Sequence, residues 1–398
     1  MLRAALTCFF VFSLQSAEVR WLHLSTATNH LPLPSTAKVQ TASVTGDFDS
    51  DKTNDFVLAF ADAGPALVLY HRATNWITLP IEIEPLPIAP GGVATDVDLD
   101  NDVDLIFGSA SGPEVWWWEN PNPSFNADKS WTRRLVHQST ASTNSGQLMV
   151  DLLGSGRPQL VFWNQGTNAL FHVAIPSEPR TQSNWVARQL FAPPPGLPGS
   201  LQSITALDLN IDGNLDLLAG NFWLKGQHGM VFQPTRIGTT PGRSAIGHFR
   251  DSTYRQIVIA PLAARGSVYW YECKTKPERS ESWAGRELLS HEIAPAASLA
   301  IADINKDGND DIFLSERQLP SETSTPHSPF AWIFYSDGNG SFRSTLFSSD
   351  LEIFEANLVD LDNDSDLDIL STPNRFGTPR VDIWLNVTDF KGPPIEPK

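Results

Sequence analysis

Five short stretches decide the fold. They are Asp47-Phe-Asp49-Ser-Asp51-Lys-Thr53-Asn-Asp55, Asp96-Val-Asp98-Leu-Asp100-Asn-Asp102-Val-Asp104 and Asp208-Leu-Asn210-Ile-Asp212-Gly-Asn214-Leu-Asp216. Asp303-Ile-Asn305-Lys-Asp307-Gly-Asn309-Asp-Asp311 and Asp360-Leu-Asp362-Asn-Asp364-Ser-Asp366-Leu-Asp368 complete the set. Oxygen-bearing side chains occupy positions 1, 3, 5 and 9 of each, and a hydrophobic run follows. Carboxylates at this density repel one another unless a hard cation sits among them, and calcium takes six to eight oxygen ligands in such loops. About five Ca²⁺ ions are therefore expected, in a structural role, because binding energy at a loop that is splayed without its ion becomes folding energy. An EF-hand does not fit: it needs Glu at position 12 and flanking helices.

Two further turns keep the spacing but lose the acid: Asp151-Leu-Leu-Gly-Ser155-Gly-Arg-Pro-Gln159 and His248-Phe-Arg250-Asp-Ser252-Thr-Tyr-Arg-Gln256. They read as repeats without metal. The seven starts lie 40 to 57 residues apart, a period that marks stacked supersecondary units. Each unit carries four strand signals. In the second, Gly92 to Thr95 enters the loop and Leu105 to Gly108 leaves it, and Val115-Trp-Trp-Trp118 and Trp131 to His137 follow. Four strands repeated seven times predict an all-β, seven-bladed propeller of four-stranded antiparallel blades. The last unit runs out after its third strand, whereas Val19 to Leu24 has the character of a fourth. The expectation is a ring closed by the N-terminal strand, which removes a free sheet edge.

The loops resemble the FG-GAP and VCBS repeats of the integrin α-subunit propeller and of many secreted bacterial proteins, over nearly the whole mature chain. The bacterial type is the closer match, since the Phe-Gly and Gly-Ala-Pro signatures are not clearly reproduced. The resemblance implies that each loop joins the first two strands of a blade and holds one calcium. The ligands would be the side chains at positions 1, 3, 5 and 9 and the carbonyl at position 7, supplied by Thr53, Asp102, Asn214, Asn309 and Asp366.

The 398 residues carry a formal charge of −17. Five Ca²⁺ would add ten positive charges and leave −7. No basic stripe is present and the acidic field repels phosphate, which argues against a nucleic-acid partner. Residues 1–17 read as a secretory signal, with Arg3 ahead of a hydrophobic run too short to span a bilayer. The propeller is expected over 18–390 with a Pro-rich tail at 391–398, secreted and monomeric, with no membrane span. Cys8 leaves with the signal, so Cys273 has no internal partner and metal is the only staple beyond the core. The 13 tryptophans belong mostly between blades, because consecutive side chains in a strand alternate faces. Trp223 is the one expected to be exposed, because Asn221 to Lys225 breaks the strand pattern of the shortest unit. No His-x-x-x-His pair, Gly-x-Ser-x-Gly elbow or Cys-His couple is found. The reading is a binding module for an extracellular protein or carbohydrate; the alternative is a carbohydrate-active enzyme such as a polysaccharide lyase.

Overall fold

The computed structural model describes residues 18–388, excluding 74, 124–130, 198–202, 228–229, 318–328 and 374–378. The expected signal segment, 1–17, and the expected Pro-rich tail, 391–398, lie outside the described residues. Twenty-eight strands pair into seven four-stranded antiparallel sheets, which are the blades of a seven-bladed propeller. Six sheets take four consecutive strands. The seventh joins Asn357–Val359, Asp368–Ser371 and Asp382–Asn386 to the N-terminal strand Trp21–Ser25. There Leu22 lies opposite Leu385 and His23 opposite Trp384, so the ring closes as the sequence predicts.

Seven hydrophobic clusters hold the ring, one at each junction between neighbouring blades. Leu67 and Leu69 of blade 1 meet Leu105, Phe107 and Trp118 of blade 2, while Ile106 and Trp117 of blade 2 meet Leu160 and Phe162 of blade 3. Pleating produces this arrangement. Odd and even residues of each central strand face opposite neighbours, so both faces are apolar. Trp117 and Trp118 are fully buried on opposite faces, with Trp116 partly buried on the same side as Trp118.

Trp223 corrects the sequence reading. It lies inside the third strand of blade 4, Phe222–Gln227, opposite Leu218 and Thr235, and is 1% exposed. Blade 4 is short because Gly220, at φ 58°, and Asn221 make a tight hairpin; the strand pattern is unbroken. Tryptophans at the fourth strands face inward as well. Trp131 and Trp185 stand just before strands that open at Thr132 and Ala187, and both are buried. Cys273 is buried and forms no disulfide.

The first strands of neighbouring blades approach one another and line the channel. Each runs toward its loop, for Gln40 pairs with Phe60 at one end and Gly46 with Asp55 at the other. All seven loops thus share one face of the ring, and the first strands begin at the opposite mouth.

Candidate metal loops and binding cleft

The five acidic stretches are the connections between first and second strands, and all five close in one way. The position-1 carboxylate accepts the N–H groups of positions 5 and 6: Asp47 from Asp51 and Lys52, Asp208 from Asp212 and Gly213, Asp303 from Asp307 and Gly308. Asp96 and Asp360 accept from Asp100 and Asn101, and from Asp364 and Ser365. The position-5 carboxylate accepts the N–H of position 7 at Thr53, Asp102, Asn214, Asn309 and Asp366. Positions 4 and 6 are left-handed in every loop, which winds the chain tightly around a point. Gly213 and Gly308 suit position 6 because a side chain is strained there.

Position 9 begins the second strand, so its aspartate is drawn under the loop and buried. One oxygen accepts an N–H at the end of the third strand: Arg72 for Asp55, Asn120 for Asp104, Gly226 for Asp216, Ser336 for Asp311, Asn386 for Asp368. In four loops the other accepts the N–H of position 2, from Val97, Leu209, Ile304 and Leu361. The position-2 side chain meanwhile plugs the junction between blades, as Phe48 does against blade 2. The residue that ends the next blade's third strand grips its carbonyl: Asn120 on Phe48, Asn386 on Ile304, Ser336 on Phe249. Each loop is therefore coupled to packing between blades.

The ligand atoms of Asp96, Asp98 and Asp104 lie within 4.8 Å of one another, as do those of Asp360, Asp362 and Asp368, and of Asp47, Asp49 and Asp51. Buried oxygens there lack any hydrogen-bond partner: Oδ1 of Asp98, Asp102, Asn210 and Asp362, and Oδ2 of Asp55. An orphaned buried acceptor costs on the order of 1–3 kcal/mol, so inward-facing oxygens of this kind fit a hard cation. Charge state agrees with that fit. Burial, helped by neighbouring carboxylates, pushes Asp104 up to about 8, Asp102, Asp311 and Asp368 to about 7, and Asp98, Asp362 and Asp55 to about 6. Position-7 side chains behave variously. Asn214 and Asn309 donate to Asp212 and Asp307, and Asp366 pairs with Lys306 of the preceding loop.

Sequence reading missed the groups above the loops. The residue just before each N–H donor to position 9 is His71, Glu119, Lys225, Tyr335 or Leu385. Lys225 Nζ lies 3.2 Å from Asp212 and 2.8 Å from Glu278. Arg180, from the connection before the fourth strand of blade 3, reaches Asp98 and Glu119 at 2.7 Å and also pairs with Asp100. No local signal marks Arg180, which is 80 residues from Asp100.

The two non-acidic turns differ from each other. Asp151 accepts the N–H groups of Ser155 and Gly156, Gln159 accepts that of Leu152, and Gly154 and Gly156 are left-handed. Blade 3 thus builds the same loop with one carboxylate. In blade 5 Gln256 accepts the N–H of Phe249, but left-handed residues are absent from that loop.

On the loop face, blades 3 and 4 carry two adjoining clefts of about 280 and 580 Å³ that share Leu153 and Met230. His172, Arg188 and Asn184 give the larger one polar edges, and Val186, 76% exposed, gives it an apolar one. The opposite mouth of the channel is lined by Ser43, Gly91, Gly92, Gln147 and Asn357, with Arg243 paired to Glu355.

No protein-family model and no curated protein matches the sequence. Solved structures do match. An Agrocybe aegerita lectin, described as recognising non-reducing terminal N-acetylglucosamine, is similar with a TM-score of 0.52 and 14% identity, over 80% of this chain and 81% of that one. BBS1N, solved in complex with ARL6DN, is similar with a TM-score of 0.52 and 10% identity, over 92% and 96%. At these identities the likeness is one of fold. No helix among the described residues is long and apolar enough to cross a membrane.

Proposed function

We propose that this chain is a secreted calcium-stabilised propeller of the FG-GAP/VCBS type that serves as a binding module for an extracellular protein or carbohydrate, with its ligand seated on the loop face over blades 2 to 4. One observation carries the binding role. Position 4 of the loops in blades 2 and 4 holds Leu99 and Ile211, left-handed at φ 65° and 60° and 66% and 67% exposed. A non-glycine residue in that conformation costs on the order of 1–3 kcal/mol, and its side chain here serves neither the core nor solubility. Between those two blades, exposed Leu153 and Val186 line the larger cleft with apolar surface, and Arg188 and His172 supply donors. The other acidic loops hold Ser50, Lys306 and Asn363 at position 4, so the apolar sector is confined to one side of the ring.

A glycan-array and polysaccharide screen of residues 18–398, run beside a protein-capture screen in calcium, tests the reading. Val186→Asp and Arg188→Glu should each abolish binding of whatever is captured while leaving the melting temperature in place. Undiminished binding by both variants would overturn the location; release of a shortened polysaccharide would make the protein an enzyme.

A further inference from the structure

The five loops are not equivalent, and the first differs in kind. Above the blade-1 loop the third strand places His71, whose Nδ1 lies 3.3 Å from Asp55 Oδ1 and 3.6 Å from Asp49 Oδ2. The ligand atoms of His71, Asp49 and Asp55 all fall within 4.8 Å of one another. Asp55 is 1% exposed and its Oδ2 has no hydrogen-bond partner. In the other four acidic loops that oxygen is occupied by the N–H of position 2. The first loop therefore combines a free, buried carboxylate oxygen with an imidazole nitrogen. Its counterparts over the remaining loops are Glu119, Lys225, Tyr335 and Leu385, and none of these is a nitrogen ligand while Lys225 is a cation.

Calcium selects oxygen, whereas imidazole beside carboxylates suits borderline transition ions of the zinc class. We propose that the blade-1 loop is a transition-metal site, holding one zinc-class ion through His71, Asp49 and Asp55, within a ring whose other acidic loops take calcium. Asp47 and Asp51 cluster with Asp49, so one ion draws on both sets. Binding is a ligand exchange without redox chemistry. His71 binds as the neutral imidazole with its proton on Nε2; any proton on Nδ1 or on Asp55 passes to solvent, and the Nδ1 lone pair forms the bond to the ion. The inference rests on the calcium reading of the other loops only for its contrast.

The test is zinc titration of the metal-stripped full chain in saturating calcium, with X-ray absorption at the zinc edge. The expected result is one equivalent of zinc with imidazole scattering from its first shell. His71→Leu, which installs the residue found at the blade-7 counterpart, should weaken that site by at least about 100-fold without altering the calcium-dependent melt. His71→Gln, closer in polarity, should do the same and guards against misfolding of the first variant. A wild-type chain that takes no zinc in calcium, or one whose zinc affinity survives both substitutions, would overturn the proposal. A melt that ignores calcium while the zinc site persists would instead overturn the calcium reading and leave this one standing.

Discussion

The loops of blades 3 and 4 are neighbours with nearly the same backbone and opposite composition. Asp151 and Asp208 each gather the N–H groups of positions 5 and 6. Gln159 and Asp216 each accept the N–H of position 2. Where blade 4 places Asn210 and Asp212, blade 3 has Leu153 and Ser155. The nine-residue turn thus closes with one carboxylate, and a neutral amide can latch the second strand. The additional oxygens in blade 4 are not needed to build the loop. They introduce repulsion and, at Asn210, a buried orphaned acceptor, as expected when a site is assembled for a cation. Asp151, capped by the Ser155 N–H, is held below the ordinary carboxylate range, whereas burial raises Asp216.

Removing calcium should separate the two kinds of loop most strongly. At an ion concentration 100 times the Kd each site contributes about 2.7 kcal/mol. Losing them together should lower the melting temperature by on the order of 15 °C. Calorimetry with and without EGTA measures it, and coincident traces would sink the structural role. Hydrogen exchange should further show blades 2, 4, 6 and 7 loosening at their loops while that of blade 3 does not change.

The pH dependence should reverse between the ion-free and calcium-loaded protein. Unfolded aspartates titrate near 3.9, but in the ion-free fold Asp104 is raised by burial to about 8 and Asp311 and Asp368 to about 7. Between those values the folded state holds the extra protons. Stability from this source is complete below pH 4 and is lost as pH rises toward 8. Calcium competes with those protons, so the loaded protein gains stability over the same range. Urea midpoints at pH 5 and 8 in metal-stripped buffer decide it; an ion-free midpoint that rises with pH contradicts the burial of these groups.

Much of this was legible in the sequence because the repeat is local. The acidic ladders mark the first-to-second-strand turns, and the orphan strand at Val19 to Leu24 is accounted for only by closing the ring. Illegible parts depend on residues distant in sequence or on short turns. Trp223 looked misplaced because its hairpin has almost no loop. The series His71, Glu119, Lys225, Tyr335 and Leu385 has no common chemistry, so only strand register reveals that its members occupy one place. Gln159 and Gln256 read as lost ligands, yet both keep the position-2 bond; a side-chain amide matches a carboxylate as an acceptor while carrying no charge.

A single site should matter less than the set. Asp364→Asn removes one charge from the blade-7 loop but leaves an acceptor for the Asp366 N–H. The expected loss is one calcium and a few degrees of melting temperature, with folding intact because the other blades retain their ions. Collapse of the whole ring would mean that the sites are far more strongly coupled than stacked repeats allow.

The smallest effect is also the most direct challenge to the comparison. Leu153→Asn, Ser155→Asp and Gln159→Asp together would give blade 3 the side-chain ligands of blade 4 on a backbone already wound for them, with Gly154 and Gly156 at φ 60° and 76°. Leu153 is 54% exposed, so its replacement opens no cavity. Gln159 is buried, and the shorter aspartate forfeits its 2.5 Å bond to the Arg157 carbonyl but can still accept the Leu152 N–H. The triple variant should bind one additional calcium by titration. It should melt a degree or two higher than the parent in calcium and lower in chelator, because the new carboxylates stabilise only with an ion between them. Unchanged stoichiometry would show that positions 1, 3, 5 and 9 do not suffice. The groups above the loop, which the sequence pattern omits, would then decide where metal binds.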